Sequence, residues 1–158
     1  MVSLSADEIR ALITAEHGDP FAVLGPHRDD TGALVIRALL PGARAVSVVG
    51  LGPNAIPLRA LHRDGLWEAQ IAPTATAPRP ADGEPPAYRL CVTDPDGGTR
   101  EIEDPYRFPP ALSAFDLHLL GEGTHLRVFE KLGAHPMRLA GVDGVAFAVW
   151  APTRAGSA

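Results

Sequence analysis

The chain changes its hydrophobic period along its length. From Leu4 to Ile13 the apolar residues recur at helical spacing, with Ile9, Leu12 and Ile13 on one stripe. Ser5-x-x-Glu8 has the form of a capping box, and Leu4 and Ile9 stand where a hydrophobic staple would bracket it. Gly18 is the natural left-handed stop. The spacing therefore predicts a helix from Ala6 to Glu16, too short to be stable alone and so obliged to dock. His17 to His27 (HGDPFAVLGPH) follows as an ordered apolar loop, with Phe21, Val23 and Leu24 expected to turn inward.

From Ala33 the period becomes two. Ala33 to Leu39 and Ala45 to Val49 flank the turn signal Pro41-Gly42. Ile56 to Leu61 and Leu66 to Ile71 flank Arg63-Asp64-Gly65, a hairpin pattern. Ala87 to Thr93 and Thr99 to Glu103 flank Asp94-Pro95-Asp96-Gly97-Gly98. Pro73 to Pro86, with five prolines, reads as a stiff exposed loop. Short alternating strands separated by turn signals predict an all-β fold, an immunoglobulin-like antiparallel β-sandwich with a short N-terminal helix.

Glu103 to Pro136 breaks both periods. Pro105, Pro109, Pro110 and Pro136 remove backbone donors, so no central strand is expected to run through it. Yet Leu112, Phe115, Leu117, Leu126, Val128 and Phe129 supply as much apolar side chain as a core element, unlike a solvated linker. An ordered arm, mostly irregular or helical, is expected, its apolar residues packed on neighbouring modules. An internal repeat then appears. Leu24-Gly25-Pro26-His27 recurs as Leu132-Gly133-Ala134-His135, and Leu34 to Pro41 recurs as Val145 to Pro152. The expected organisation is a sandwich over residues 1–104, the arm over 105–136, and the first strand of a second, truncated sandwich over 137–158. A lone strand of that kind needs a partner to cover its faces and its backbone edge, so residues beyond about Ala111 are expected to want neighbours.

Composition narrows the partners. With 158 residues and a formal charge of −5, there is room for one domain and a fragment, and no basic stripe that would favour nucleic acid. The single cysteine, Cys91, excludes an internal disulfide and suits a reducing compartment. Neither a signal peptide nor a run long enough to span a membrane is read at the sequence level. These features predict a soluble cytoplasmic protein without a membrane partner. Asp94, Asp96, Glu101, Glu103 and Asp104 cluster, but Asp-Pro-Asp-Gly-Gly is turn chemistry rather than a calcium loop. His17, His27, His62, His118, His125 and His135 lack paired metal spacing, so no metal site and no cofactor is expected. His27 and His135 hold equivalent repeat positions, where a loop-bracing hydrogen bond is the natural role. Cys91 shares a strand face with Arg89 and Thr93, opposite Tyr88, Leu90 and Val92, and nothing beside it suggests a nucleophile's base.

Four collinear stretches carry a family resemblance: His17 to His27, EDPYRFPP (Glu103 to Pro110), LLGEGTHLRVFEKLGAHP (Leu119 to Pro136) and GVAFAVWAP (Gly144 to Pro152). Together they resemble the amino-terminal region of bacterial 1,4-α-glucan (glycogen) branching enzymes. The resemblance implies an extra sandwich, then a second sandwich of the glycogen-binding type, a (β/α)8 barrel and a C-terminal β-domain. It implies a parent glycosyltransferase of glycogen biosynthesis that forms α-1,6 branches through a covalent intermediate, with both carboxylates on the barrel. This chain is too short to hold that barrel, so no catalytic residue is expected in it. The implied role is to position the barrel and influence the length of chain transferred, with the remaining domains of the parent as partners. The alternative is an independent carbohydrate-binding module for glycogen or linear α-glucan. Trp67 and Tyr106 are its candidate glucan-binding residues. Against it, Gly65-Leu66-Trp67-Glu68 resembles a framework position, and Leu51 to Asn54 and Thr99-Arg100 stand where such modules carry platform tryptophans. Core or interface packing is the expected role of Trp67 and Trp150. A related debranching or trehalose-forming enzyme is a third reading of the same start.

Overall fold

The computed structural model describes residues 4–72, 86–139 and 141–150. It divides into two compact units, Met1–Phe108 and Pro109–Ala158. The predicted proline-rich loop from Pro73 falls, but for Pro86, outside the described residues, as does everything after Trp150.

The first unit opens with helix α1, Ala6–Ile13, and its start follows the sequence reading. Ser5 Oγ accepts from the Glu8 amide, and the Glu8 carboxylate accepts from the Ser5 amide at 2.8 Å. The helix ends earlier than the Gly18 reading placed it. Ala15 takes the left-handed conformation (φ 58°), while Ala15 N–H donates to Leu12 O and Glu16 N–H to Ala11 O. This is a Schellman closure built on alanine instead of glycine. Leu12 is the buried residue of α1, and enclosing it contributes about 1.5–3 kcal/mol to docking.

Eight strands follow: β1 Gly25–Arg28, β2 Leu34–Leu39, β3 Ala45–Val49, β4 Ile56–Pro57, β5 Arg59–His62, β6 Leu66–Ile71, β7 Arg89–Thr93 and β8 Thr99–Glu103. They form two antiparallel four-stranded sheets, ordered β1-β2-β6-β5 and β4-β3-β7-β8. The all-β sandwich with its short N-terminal helix is thus as expected. Three details differ. The Pro41-Gly42 turn joins strands of different sheets, not a hairpin, because β2 pairs with β1 and β6 while β3 pairs with β4 and β7. The single predicted strand Ile56 to Leu61 is cut at Leu58, where the chain passes from one sheet to the other and the leucine enters the core. Pro57 lacks a ladder donor and lies at that cut. Finally, part of the predicted loop is strand β1, which tolerates Pro26 because it lies at a sheet edge.

Leu34, Ile36 and Ala38 of β2, with Trp67 and Ala69 of β6, face Val46 and Val48 of β3 and Leu90 and Val92 of β7. A second core of Leu12, Val23, Leu24 and Leu66, with Leu4, Ile9 and Tyr106 packed against it, joins α1 to the same unit. Strand β2 is therefore buried on both faces, which explains its nearly continuous apolar run.

The second unit contains helix α2, Ala114–Glu122, a 3-10 turn at Val128–Glu130, and strands β9 Gly133–Leu139 and β10 Val142–Ala148. Asp116 organises its helical part. Its carboxylate accepts from the amide (3.0 Å) and hydroxyl (2.6 Å) of Ser113 and from His125 Nε2 (3.1 Å), and Lys131 Nζ lies 3.2 Å away. These bonds, Ser113's foremost, hold its pKa well below the ordinary carboxylate range. The segment predicted to hold one strand forms a β9–β10 hairpin, and β9 begins inside the predicted arm. Pro136 lies within β9, opposite Val145. A two-stranded ribbon leaves one edge of each strand outside the ladder, so the proline is accommodated.

Replacing Ala15 by glycine should raise the stability of the first unit by about 0.5–1 kcal/mol in urea melts, by removing the left-handed penalty. Unchanged or lower stability would contradict the closure described for α1.

Candidate functional site

A buried polar contact closes the first unit after β8. Asp104 is 1% exposed and Tyr88 2%. Tyr88 Oη donates to Asp104 Oδ2 at 2.5 Å, and the Tyr106 amide donates to Asp104 Oδ1 at 3.0 Å. Burial, reinforced by the Asp104 charge, pushes the Tyr88 phenol far up, so it remains a donor at any physiological pH. Burial also raises the Asp104 pKa, opposed by the Tyr88 and Tyr106 hydrogen bonds and by Arg107. Arg107, itself buried, pairs with Glu103 at 3.0 Å and lies 4.6 Å over the Phe108 ring. The Asp104-capped 3-10 turn Pro105–Arg107 then lies across the start of β1.

Two residues of the predicted loop receive that turn. The Tyr106 ring meets Phe21 edge to face, with centroids 5.0 Å apart. At Gly25 (φ 87°) the backbone comes so close that a Cβ would stand 2.4 Å from the Tyr106 carbonyl oxygen. Glycine is required there by both conformation and space. In the sequence Asp104 stands among clustered acids and within EDPYRFPP, neither of which singles it out as a buried cap. The signal for its role was local: Asp-Pro at the end of a strand is the pattern of a capped turn.

The two glucan candidates are not brought together. Trp67 is 9% exposed within the inter-sheet core, and Tyr106 belongs to the separate cluster around Leu24. The outer face of the β1-β2-β6-β5 sheet carries a groove of about 320 Å3, lined by Leu4, Ile9, Val35 and Leu61 together with charged residues. Glu68 there is shared by Arg37 (2.9 Å) and Arg59 (3.4 Å), and Gln70 donates to Asp29 at 2.7 Å. No Trp, Tyr or Phe appears among its described lining residues. Leu51 to Asn54 forms bends, and Thr99 and Arg100 are exposed on β8. Asp94 to Gly98 is a hydrogen-bonded hairpin turn, as its residues predicted: Asp94 N–H donates to Gly98 O at 2.8 Å and Gly98 N–H to Asp96 Oδ1 at 2.9 Å. Cys91 is half-buried on the polar face of β7, across from the core-facing Leu90 and Val92.

The repeat read in the sequence is present in the geometry of the second unit, taken by itself. Leu24 N–H donates to Pro20 O at 2.8 Å, and Leu132 N–H donates to Val128 O at 2.8 Å. His27 Nε2 donates to Leu24 O at 3.0 Å, and His135 Nε2 donates to Leu132 O at 3.0 Å. Both histidines thus brace loops. Gly25 and Gly133 both have positive φ, 87° and 103°. Gly25 opposes Arg37 and Gly133 opposes Ala148, matching the sequence offset between the two copies. In the second copy the apolar equivalents are exposed: Phe129 70%, Val145 50%, Phe147 76% and Val149 81%.

The first unit is an antiparallel sandwich closed after β8 by a capped turn, and the second carries the β9–β10 hairpin. The chain belongs to the family described as the N-terminal domain of alpha-1,4-glucan branching enzyme GlgB, whose model matches residues 5–106. It is similar to the 1,4-alpha-glucan branching enzyme GlgB of Paramagnetospirillum magneticum, 47% identical over 149 residues, which cover 94% of this chain and 18% of that protein. The corresponding enzyme of Rhodopseudomonas palustris is 48% identical over 147 residues, covering 93% of this chain and 19% of the relative. That of Rubrobacter xylanophilus is 44% identical over 147 residues, covering 92% and 19%. The chain therefore spans about a fifth of the length of these relatives. Among the described residues no helix is long and apolar enough to cross a membrane.

Tyr88→Phe should cost about 1.5–3 kcal/mol in the first unit, because a buried carboxylate loses a donor. Asp104→Ala should cost more, since it also uncaps the turn at Tyr106. Chemical denaturation of both variants and of the double mutant checks this, and additive losses without coupling would contradict it.

Proposed function

We propose that the chain is a non-catalytic scaffold of a 1,4-α-glucan branching enzyme, seating the catalytic barrel and influencing the length of glucan chain transferred. The observation that carries this reading is the exposure of Val145, Phe147 and Val149, whose first-unit equivalents Leu34, Ile36 and Ala38 are buried; Phe129 is 70% exposed where Phe21, expected to turn inward, is itself 37% exposed. Alternate apolar side chains exposed along one strand call for a covering module. On this reading residues 1–104 are a complete sandwich and 105–136 a tethering arm. The hairpin that reaches into 137–158 begins a second sandwich of the glycogen-binding type.

The rest of the enzyme then supplies the paired carboxylates that cleave an α-1,4 bond and form an α-1,6 branch. α-Glucan is a substrate of that whole enzyme rather than a ligand of the Trp67 or Tyr106 rings, which are engaged in packing. A module that binds glucan by itself would instead present aromatic faces to solvent. The cytoplasm is the compartment proposed, in keeping with a lone cysteine and no disulfide to maintain.

The test has two arms. The 158-residue chain incubated with amylose should form no α-1,6 branches and should not be retarded in a glycogen-containing gel. Deleting the matching region from the Paramagnetospirillum relative should leave branching activity but shift the distribution of transferred chain lengths. Branching by the chain alone, or an unaltered distribution after deletion, would overturn the proposal.

A further inference from the structure

The two copies of the repeat differ in one respect that identifies a missing contact. In the first copy, the Phe21 ring and the bare backbone of Gly25 form a notch filled by the Asp104–Tyr106 turn. The Tyr106 ring fits against Phe21, and its carbonyl occupies the space a Gly25 Cβ would take. In the second copy, Phe129 stands at the Phe21 position and Gly133 at the Gly25 position. The backbone closures are the same, including the 2.8 Å Leu132-to-Val128 bond and the positive φ of Gly133. The notch is therefore built, yet Phe129 is 70% exposed and no described atom lies within 4 Å of a Cβ placed on Gly133. Nothing within the second unit's described residues requires a ring and a glycine at this spacing.

We propose that the Phe129–Gly133 notch is a docking site for an Asp-Pro-aromatic turn. Its occupant belongs to the same polypeptide and lies in the region that extends beyond the matched fifth of the relatives. That turn follows the last strand of the second sandwich, as Asp104–Tyr106 follows β8, and closes the end of that sandwich. The proposal rests on the second-sandwich reading given above. Three chemical features specify the occupant. An aromatic ring packs edge to face on Phe129, a backbone carbonyl passes over Gly133, and an aspartate caps the turn. The proline that follows the aspartate fits the first position of the turn, where no donor is needed.

The test uses a full-length chimera in which this chain replaces the matching region of the Paramagnetospirillum enzyme, beside the 158-residue chain. Phe129→Ala should leave the melting midpoint of the chain alone within about 1 °C, as for an exposed site, and lower that of the chimera by roughly 4 °C or more. Gly133→Ala carries backbone strain in both proteins, so the informative quantity is the additional loss in the chimera, where the methyl group meets a carbonyl. Phe147→Asp reports separately on the sandwich reading. If it destabilises the chimera while Phe129→Ala and Gly133→Ala do no more than in the chain alone, the notch proposal fails and the second sandwich stands. If Phe147→Asp is also silent in the chimera, both fail. Chimera-specific losses at Phe129 and Gly133 together with Phe147 support the proposal.

Discussion

The buried hydrogen bond between Tyr88 and Asp104 is the constraint on which the first unit closes. A carboxylate that is 1% exposed is unfavourable unless its oxygens are occupied, and here a phenol and a backbone amide occupy them. Because the aspartate caps the turn at Tyr106, satisfying its charge also fixes where the chain travels after β8. The turn comes to rest on Phe21 and Gly25, joining the last strand of the sandwich to the loop that follows α1. One polar pair thereby determines the contact between the two ends of a unit of roughly a hundred residues.

Duplication of the plan explains the second unit better than a linker does. The bracing histidine, the leucine in a backbone hydrogen bond, the left-handed glycine and the antiparallel hairpin recur with the same geometry. The exposed Val145 and Phe147 of β10, and Val149 just past its end, are those whose equivalents on β2, Leu34, Ile36 and Ala38, sit between two sheets. An apolar strand with only one neighbour is a poor solvent face and an exposed pairing edge. It makes physical sense as one component of a larger assembly. The relatives that the chain matches are several times its length.

Much of this was legible from residues whose signals are local. The capping box at Ser5 and Glu8 started α1 where expected, and alternation in AVSVV (Ala45 to Val49) identified β3 to the residue. The end of α1 was not legible because an alanine took a conformation for which glycine is the usual marker. The sheet crossing at Leu58 was hidden because alternation records which side is buried, not which sheet a strand joins. Strand β1 was missed since Gly25-Pro26-His27-Arg28 carries no alternation and pairs on one side only. For the site, the equivalence of His27 and His135 was readable because a repeat places the same chemistry in the same role. The Tyr88–Asp104 bond was not, because its partners are sixteen residues apart in sequence and meet only through the sandwich.

The central claim is that one finished sandwich is followed by the opening hairpin of another. Amide hydrogen exchange along Val142–Ala148 tests it most directly. In the 158-residue chain as a monomer, β10 has the β9 ladder on one edge, so alternate amides should be protected and those between them should exchange quickly. In a full-length enzyme containing the same hairpin, both sets should be protected. Uniform protection of β10 in the monomeric chain, or no gain of protection in the full enzyme, would contradict the account.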